Sequence, residues 1–315
     1  MAIGAKTLLL ADVGGTNTRV AVVRDGAPAD MRHFDNASFS SVYDLLQNYV
    51  TAAGVSQVHA CSVAMAGPVR GGQGRLTNRD WHITSDGLRD AFTGAHSVLL
   101  NDLTALGYAV QSLPAQSVKV LDHPASAAPN GQSLVVGMGT GFNLCPVLSG
   151  PNGQVHCLEV EMGHATLPAT LRDALAQHLG DGAARFVTLE DLFSGIGLAQ
   201  FHTARTGEAI NAKDIVHSSG TGSQSAHETL DIYTTLLGLL CHELAFQYMP
   251  MDGIYFAGSV ARGVLTTQYQ ANLDVGGSSV GKLGNLASAI PKIVILEDAA
   301  ALQGCRVALE LSGYY

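Results

Sequence analysis

Short apolar runs that end in glycine-rich turns recur along the chain. Residues 7–13 form such a run, rich in β-forming side chains, and are typical of a buried strand. The run stops at the turn of residues 14–17, and residues 20–23 give a second, β-branched run. The same order of strand, Gly/Thr turn and strand returns at residues 134–148. The pattern therefore predicts one repeated hairpin in each half of the chain.

Elsewhere the apolar spacing alternates between strand and helix periods. Further strands are predicted at residues 59–66, 98–100, 253–257 and 293–296. Helices are predicted at residues 41–53, 103–113, 167–179, 189–204, 230–249 and 299–311. Residues 70–84 are expected to form a polar loop, and residues 217–225 a flexible Gly/Ser loop. Strands alternating with helices predict an α/β protein whose two halves face each other across a cleft.

Composition and charge narrow the range of functions. The chain has 315 residues, of which 47% are hydrophobic and 14% charged, so we expect two well-buried domains and no disorder. The formal net charge is −9 and no Lys/Arg cluster offsets it, which argues against nucleic acid as a partner. A bound polyphosphate would have to be held by backbone N–H groups and a divalent cation, because no cationic patch is available.

The cysteines and the apolar runs indicate the compartment. The five cysteines are odd in number and form no CxxC pair, so free thiols in a reducing compartment are expected. No run of about 18 apolar residues occurs, and the N-terminal run is too short for a signal peptide. We therefore expect a soluble, cytoplasmic protein with no membrane partner.

The two glycine turns are candidates for binding phosphate. A dinucleotide-binding turn needs GxGxxG and opens a helix, whereas the turn at residues 14–17 opens a β-branched run. A tight hairpin with free N–H groups forms an anion-binding nest, and glycine permits positive φ and close approach of phosphates. One such turn could be an ordinary hairpin, but two favour nucleotide binding. Residues 276–283 match GxxxxGK, yet Leu283 replaces the Mg²⁺-binding Ser or Thr, so a surface loop is expected there.

Seven short segments together indicate a family. They read LADVGGTNTR, LTNRDW, LLNDLTA, VVGMGTG, EVEMGH, LEDLFSGIGL and YFAGSV, in this order. The combination resembles the bacterial glucokinases of the non-ROK type over nearly the whole chain. The resemblance implies a two-domain actin-like ATPase (ribonuclease H-like) fold with a cleft between the domains. It implies a small α/β domain at residues 1–110 plus 298–315, a large α/β domain at residues 111–297, and a homodimer.

The resemblance also implies an activity, the phosphorylation of glucose to glucose 6-phosphate with Mg-ATP. Asp102 would be the general base for the 6-hydroxyl. The sugar-binding residues would be Asn78, Asn101, Asp102, Glu161, His164 and Glu190. The nucleotide-binding residues would be Asp12, Val13, Gly14, Gly15, Thr16, Asn17, Gly139, Thr140, Gly141 and Gly258. Asp12 would also hold Mg²⁺ through water, although it could simply brace its turn.

Several of these residues also have a purely structural interpretation. Asp102 follows a strand and precedes a helix, where an N-cap is the ordinary role, although a capping carboxylate can also act as a base. Glu161 and His164 are spaced like half of a di-metal helix motif, but no second ExxH occurs and Gly163 disfavours a helix interior. Glu190 is typical of the first turn of a helix, and only the resemblance makes it a sugar ligand.

The chain departs from the family pattern in three places, one of which is residues 270–290, where the match to the pattern is poor. Phe142-Asn143 follow the second turn where the family usually has Leu-Gly; asparagine tolerates left-handed backbone angles, so the turn is expected to survive. Residues 241–243 read CHE where Gly-Gly-Asn is typical, which bears on helix packing more than on chemistry. The ROK kinases share DxGGT and ExGH but follow ExGH with a zinc-binding cysteine cluster. No cysteine occurs here between His164 and residue 241, so neither ROK membership nor a structural zinc is expected.

Other functions stay open. A kinase for another hexose, such as fructose or mannose, would use the same residues. A non-catalytic sugar-binding regulator of this fold would carry a DNA-binding domain ahead of the first strand, for which the position of Asp12 leaves no room. An actin-like ATPase or chaperone domain would keep both glycine turns but would not need the acids of EVEMGH or Glu190. The phosphoryl donor, ATP or polyphosphate, is also open.

Overall fold

The computed structural model describes residues 6–76, 79–122, 128–277, 286–297 and 299–314. The chain divides into two compact units, the first formed by Met1–Leu113 with Glu297–Tyr315 and the second by Pro114–Leu296. Asn78 and most of the GxxxxGK segment lie outside the described residues. Within the described ranges, no helix is both long and apolar enough to cross a membrane.

Strands and helices alternate along the described chain, linked in places by short 3₁₀ turns. The strands are β1 (Leu8–Val13), β2 (Asn17–Arg24), β3 (Ala27–Asp35), β4 (Ala60–Met65), β5 (Val69–Arg70), β6 (Gln73–Arg75), β7 (His82–Thr84), β8 (His96–Asn101), β9 (Val118–Asp122), β10 (Gln132–Met138), β11 (Phe142–Ser149), β12 (Val155–Cys157), β13 (Gly253–Ala257) and β14 (Lys292–Ile295). The helices are α1 (Val42–Ala52), α2 (Ser85–Ala91), α3 (Asp102–Ala109), α4 (Ala169–Leu179), α5 (Leu189–Phe193), α6 (Gly195–Thr206), α7 (Ala212–Gly220), α8 (Gln224–Tyr248), α9 (Ser259–Leu265) and α10 (Ala300–Leu309).

The first unit is built on a five-stranded sheet in the order β3-β2-β1-β4-β8. β1 and β2 form the antiparallel hairpin that the sequence predicts, while β1, β4 and β8 run parallel. The register pairs Val13 with Met65 and Met65 with Asn101, so the carboxyl ends of the three parallel strands meet at one edge. That edge gathers the residues that follow each strand.

The last helix of the chain covers one face of this sheet. α10 packs against α3, with Leu302, Cys305 and Leu309 fully buried among residues of β1 and β4. The two helices approach so closely that a Cβ at Gly304 would stand 1.7 Å from the carbonyl oxygen of Ala105. Only glycine fits such a crossing, because overlap with a backbone atom cannot be relieved by a change of rotamer. Gly304 thus fixes how closely α10 approaches α3.

The second unit repeats the same strand order. Its six-stranded sheet runs β12-β11-β10-β13-β14-β9, with β10 and β11 forming the second antiparallel hairpin. β10, β13 and β14 run parallel, and β9 adds an antiparallel edge. The 25-residue helix α8 passes through the core and buries Leu230, Tyr233 and Leu237. Because the first five strands match those of the first unit, the two hairpins occupy equivalent places in their sheets.

Residues 70–84 do not form the loop that was expected. β5, β6 and β7 pair into a small antiparallel sheet, and β7 leads directly into α2. Thr84 caps that helix, since its Oγ1 accepts from the backbone N–H of Gly87 at 2.8 Å. Trp81, at 5% exposure, belongs to the core of the first unit. Strands of two or three residues are too short to show a period of two, which is why the sequence pattern did not reveal them.

Two helix boundaries in the second unit also differ from expectation. The single helix predicted at residues 189–204 is two, because Ser194 has extended backbone angles and its Oγ accepts from the N–H of Gly197 at 3.0 Å, which starts α6. The segment 217–225, expected as a flexible loop, instead contains the last turn of α7 and the first residues of α8. A serine N-cap accounts for the starts of both α6 and α8, since Ser223 caps α8 as Ser194 caps α6.

Candidate functional site

The first glycine turn follows Asp12, which is buried near the end of β1. The hairpin register sets Asp12 opposite Arg19, and the Arg19 Nη1 atom donates to Asp12 Oδ2 at 3.0 Å. The turn closes with a bond from the N–H of Gly14 to the carbonyl of Asn17 at 2.9 Å. Gly14 does not adopt a left-handed φ; a Cβ there would stand 3.1 Å from the Asn17 oxygen. Close approach of backbone, and not positive φ, therefore explains this glycine.

Asn36 braces the first turn and was not identified from the sequence. Its side chain is fully buried, with Nδ2 donating to the Gly14 carbonyl at 2.8 Å and Oδ1 accepting from Thr18 Oγ1 at 2.7 Å. Its backbone N–H donates to the carbonyl of Thr16 at 2.9 Å. Three bonds from one buried residue fix the path of residues 14–18. An asparagine that follows a polar strand is common in sequences, so no sequence signal marked it.

Asn101 and Asp102 lie at the same edge of the sheet as Asp12. Asn101 is the N-cap of α3, since its Oδ1 accepts from the N–H groups of Leu103 and Thr104 at 2.9 and 3.4 Å. Its Nδ2 donates to the carbonyl of Gly67 at 2.9 Å, which ties it to the turn after β4. Asn101 therefore performs the capping that the sequence suggested for Asp102. Asp102 is the first residue of the helix, and its role is not accounted for by capping.

The electrostatic environment of Asp102 is unfavourable to its charge. Burial, and after it the negative charge of Asp12, raise the pKa of Asp102 to about 6 from its ordinary value of 3.8. Hydrogen bonds from backbone N–H groups, including that of Leu103 at 2.9 Å, oppose the shift. A carboxylate with a pKa near neutrality can accept a proton and release it again, as a general base must.

The second glycine turn is held by glycines from two other elements. The N–H of Gly139 donates to the carbonyl of Gly141 at 3.0 Å, and the Gly139 carbonyl accepts from Gly195 at the start of α6 at 2.7 Å. Gly258, directly after β13, has φ of 99°, and a Cβ there would stand 2.2 Å from the Met138 carbonyl. Neither Gly139 nor Gly141 has a left-handed φ, whereas Gly258 does, so the position that requires glycine for its conformation is the one beside the turn.

A cavity of about 470 Å³ opens beside this turn, wholly within the second unit. It is lined by Gly139, Thr140, Gly195, Ile196, Ala199, Gln200, Thr203, Ala209, Ile210, Asn211, Ala212, Lys213, Ser259 and Val260. Its wall is mostly apolar, with a few amide, hydroxyl and ammonium groups. That lining suits a flat heterocycle with a polar rim. Apart from Gly139 and Thr140, none of the lining residues was identified from the sequence, because they come from three further segments, at residues 195–203, 209–213 and 259–260.

Glu190 clamps the second turn from the first turn of α5. Its Oε2 atom accepts from the N–H of Phe142 at 2.9 Å, and a Cβ at Gly141 would stand 2.7 Å from the same oxygen. The helix-first-turn position expected for Glu190 is confirmed. One carboxylate oxygen is used by the backbone, which leaves the other for a ligand.

Glu161 and His164 bracket a single 3₁₀ turn, Met162–His164. The turn lies directly on the start of β11, since a Cβ at Gly163 would stand 2.1 Å from the Phe142 carbonyl and 3.6 Å from Glu190 Cβ. The glycine of ExGH is thus required by this contact. Both Glu161 and His164 are exposed side chains, available to a ligand.

The sequence-derived residues therefore gather in two groups, one in each unit. The first holds Asp12, residues 13–17, Asn101 and Asp102, and the second holds Gly139, Thr140, Gly141, Glu161, His164, Glu190 and Gly258. Among the described residues, no three His, Cys, Asp or Glu side chains form a group that could hold a metal alone. Asp12 offers one carboxylate, which fits a Mg²⁺ ion that arrives on phosphates, because such an ion needs only one or two carboxylates and keeps its waters.

Comparison with known proteins places the chain in a family. The sequence model of the glucokinase family matches residues 9–312. The glucokinase of Caulobacter vibrioides is 28% identical over 322 aligned positions, covering 97% of this chain and 96% of that protein. The structure of a glucokinase from an Antarctic psychrotroph matches with a TM-score of 0.85 and 25% identity over 97% of this chain and 99% of that one.

The fold alone is shared more widely. A ROK family glucokinase from Streptomyces griseus, solved with glucose and AMPPNP, matches with a TM-score of 0.63 and 16% identity over 95% of this chain and 98% of that one. The α/β architecture is therefore that of the actin-like sugar kinases, as expected from the sequence. Since the family match spans both units and both glycine turns, the chain belongs to the glucokinase family.

Proposed function

We propose that this protein phosphorylates glucose with Mg-ATP, with Asp102 as the general base. The observation that supports the proposal best is the Asp102 carboxylate, whose pKa is raised to about 6. In the reaction Asp102 accepts the proton of the 6-hydroxyl as that oxygen bonds to the γ-phosphorus, and the bond from this phosphorus to ADP breaks. Asn101 fixes the helix start that carries Asp102 and keeps one amide N–H free for a sugar hydroxyl.

The nucleotide would be held largely by backbone. Each of the turns at residues 14–17 and 139–141 has backbone N–H groups that would suit phosphate oxygens, consistent with a chain of net charge −9. The adenosine would enter the cavity beside Gly139, with Ile196 against the base and Lys213 or Asn211 near its polar rim. When bound with the nucleotide, Mg²⁺ would neutralise charge on the phosphates, and Asp12 would contact it through water.

The sugar would be recognised by hydroxyl pairing. Glu161, His164 and the free oxygen of Glu190 combine acceptors and donors in the way that sugar hydroxyls require. A wrong epimer would leave one of these groups unpaired, at roughly 1–3 kcal/mol each. Asn78, outside the described residues, is proposed as a further sugar ligand from the resemblance alone.

The proposal extends to the kinase branch, the domains, the oligomeric state and the cellular compartment of the protein. We assign the chain to the non-ROK branch, because no cysteine cluster follows His164 in the sequence. We also propose that the two compact units correspond to the small and large domains of the family, and that the enzyme is a cytoplasmic homodimer acting in glycolysis.

The test is a coupled assay for hexose 6-phosphate or ADP over glucose, mannose and fructose, with ATP and polyphosphate as donors. We expect glucose with ATP to give the highest kcat/KM. Preference for another hexose would favour the hexokinase alternative. Sugar binding without turnover would favour a non-catalytic regulator of the same fold.

The rate should depend on pH through Asp102. The base must be ionised, and because the pKa of Asp102 is raised to about 6, log kcat/KM should rise with pH below about pH 6 and level off above it. A stopped-time assay in constant-ionic-strength buffers from pH 4.5 to 8.5 would measure this limb. An acid limb near pH 4, the ordinary range for a carboxyl group, would contradict the assignment.

Asn36→Ala should weaken nucleotide binding selectively. The substitution removes the bond from the fully buried Asn36 side chain to the partly buried Gly14 carbonyl, so the first turn loosens. We expect the KM for ATP to rise roughly tenfold while the KM for glucose stays within about twofold. Thr18→Val, which removes only the bond to Asn36 Oδ1, is the milder companion variant. An unchanged KM for ATP in a folded Asn36→Ala protein would show that the brace is dispensable.

Metal content separates the two kinase branches. We expect turnover to need added Mg²⁺, and the purified protein to contain no stoichiometric zinc, because the sequence has no cysteine between His164 and residue 241. Plasma emission analysis of the purified protein and an EDTA titration of activity measure both. About one zinc per chain would favour the ROK branch instead.

A further inference from the structure

Asn143 stands where the family usually has glycine, and its place in the structure differs from expectation. It does not use a left-handed backbone; it lies within β11, paired with Gly137 of β10. Glycine is therefore not needed here for conformation, and a side chain can be placed without strain. The question becomes what that side chain does.

The Asn143 amide makes three hydrogen bonds, one of them to the Glu161 carboxylate. Nδ2 donates to the Val160 carbonyl at 2.9 Å and to Glu161 Oε2 at 3.1 Å, while Oδ1 accepts from the Leu144 N–H at 2.9 Å. Among the residues that the structure describes, the Asn143 amide is the group that donates a hydrogen bond to the Glu161 carboxylate. It binds one oxygen and leaves Oε1 uncommitted.

We infer that Asn143 is a positioning residue that orients Glu161 for a sugar hydroxyl. The inference rests on the proposed function. Glu161 is an exposed side chain with three rotatable bonds, and ordering it on binding would cost conformational entropy. The Asn143 amide, itself anchored on the Val160 carbonyl, orders it in advance, so the free Oε1 atom meets the hydroxyl already oriented. A glycine at position 143 has no side chain to do this.

The contact also links two binding regions of the second unit. Residues 142 and 143 continue directly from the glycine turn at 139–141, and each holds one predicted sugar acid: the Phe142 N–H binds Glu190 and the Asn143 amide binds Glu161. Phe142 contributes only its backbone to the first bond, whereas the second bond depends on the side chain of Asn143. Substitution at position 143 can therefore test Glu161 while leaving the backbone bond to Glu190 in place.

The test is steady-state kinetics of Asn143→Gly, Asn143→Ala and Asn143→Asp over glucose and ATP. We expect the glucose KM of the first two to rise roughly tenfold, with kcat and the KM for ATP within about twofold of wild type. Asn143→Asp should raise the glucose KM more at pH 8 than at pH 6, because a carboxylate in place of the amide repels Glu161 when both are ionised, and uptake of a proton relieves that repulsion. A merely structural role would not give that pH dependence.

Asn272→Ala is the matched control. Asn272 also donates its Nδ2 to a carboxylate of the same unit, Asp231 Oδ1 at 2.9 Å, but it belongs to no part of the proposed site. We expect its glucose KM to be unchanged. If Asn272→Ala raises the glucose KM as much as Asn143→Ala does, the effect is general loosening of the unit and the inference fails.

A double-mutant cycle keeps the inference testable even if stability falls. In a Glu161→Gln background, Asn143→Ala should add little to the glucose KM, since the oriented carboxylate is already gone. Fully additive effects would overturn the inference, as would an unchanged glucose KM in single variants that melt like wild type. Absence of glucose turnover in the wild type would overturn both the proposed function and this inference. The kinetic outcomes above would overturn the inference alone, so the two failures can be distinguished.

Discussion

Asp102→Asn is expected to lower kcat for glucose by roughly 10²–10⁴-fold, with the glucose KM changed far less. The amide keeps the shape of the carboxylate and can still pair with a hydroxyl, but it cannot accept the proton as the oxygen attacks phosphorus. The helix start should survive, since Asn101 and not Asp102 is the cap of α3. Single-turnover kinetics beside glucose titration by calorimetry would separate chemistry from binding.

The same substitution should stabilise the fold near neutral pH. The folded-state pKa of Asp102 is raised to about 6 from 3.8, so the folded protein binds the proton more tightly than the unfolded chain does. Stability contributed by the neutral acid is complete below about pH 4 and is lost as the pH rises through about 6. At pH 7.5 the ionised group costs up to about 3 kcal/mol, and asparagine removes that cost.

Thermal melts of wild type and Asp102→Asn at pH 4.5 and 7.5 would measure this. The Tm difference should be large at pH 7.5 and small at pH 4.5. Asp86→Asn, which removes an exposed carboxylate paired with Arg89, is the control and should shift Tm little at either pH. Near-normal kcat for Asp102→Asn would leave Asp102 without a catalytic role.

Gly163→Ala is expected to impair glucose phosphorylation strongly. The new Cβ would stand 2.1 Å from the Phe142 carbonyl, and a backbone atom there cannot move aside without shifting β11 or the turn. Glu161 and His164 flank this glycine, so a displacement of about 1 Å would misplace both and lower kcat/KM for glucose on the order of 10²-fold. The overlap should also lower Tm by several degrees, since overpacking typically costs about 1–3 kcal/mol.

Gly220→Ala provides the comparison, because a Cβ at Gly220 meets nothing within 4 Å and this glycine has no left-handed φ. That variant should keep wild-type kcat/KM and Tm. A Gly163→Ala protein with normal glucose kinetics would mean that the ExGH turn does not lie against β11 in solution.

The hairpins could be predicted from the sequence because their pattern is local. An apolar run, a Gly/Thr turn and a β-branched run define β1 with β2 and β10 with β11, and the repetition of the unit pointed to two sheets. Long helices such as α8 follow from period alone. The helix break at Ser194 and the strands of two or three residues in the small sheet do not follow from period, because a cap or a short strand is decided by one or two residues in context.

The candidate site was predictable only in part, because some of its residues act through contacts with residues that are distant in the sequence. Asp12, Asp102 and the glycine turns follow strands, where a sequence can place them. Asn36 and Asn143 each use the side-chain amide to bind a residue 22 or 18 positions away, and no local sequence pattern predicts those partners. Asn101, and not Asp102, is the N-cap of α3. Both residue types are good N-caps, and only the three-dimensional geometry determines which of them takes that position.

The placement of α10 determines when the first unit can be completed during synthesis. Its sheet is laid down by residue 101, yet the face formed by Leu8, Leu10, Ala60 and Ala64 is covered by residues 300–309. During synthesis on the ribosome, that apolar face stays uncovered until nearly two hundred further residues have been added. The second unit is continuous in sequence and can collapse in the meantime. A nascent chain stalled before residue 300 would therefore carry one unit that is able to fold and one sheet with an exposed apolar face, which favours aggregation.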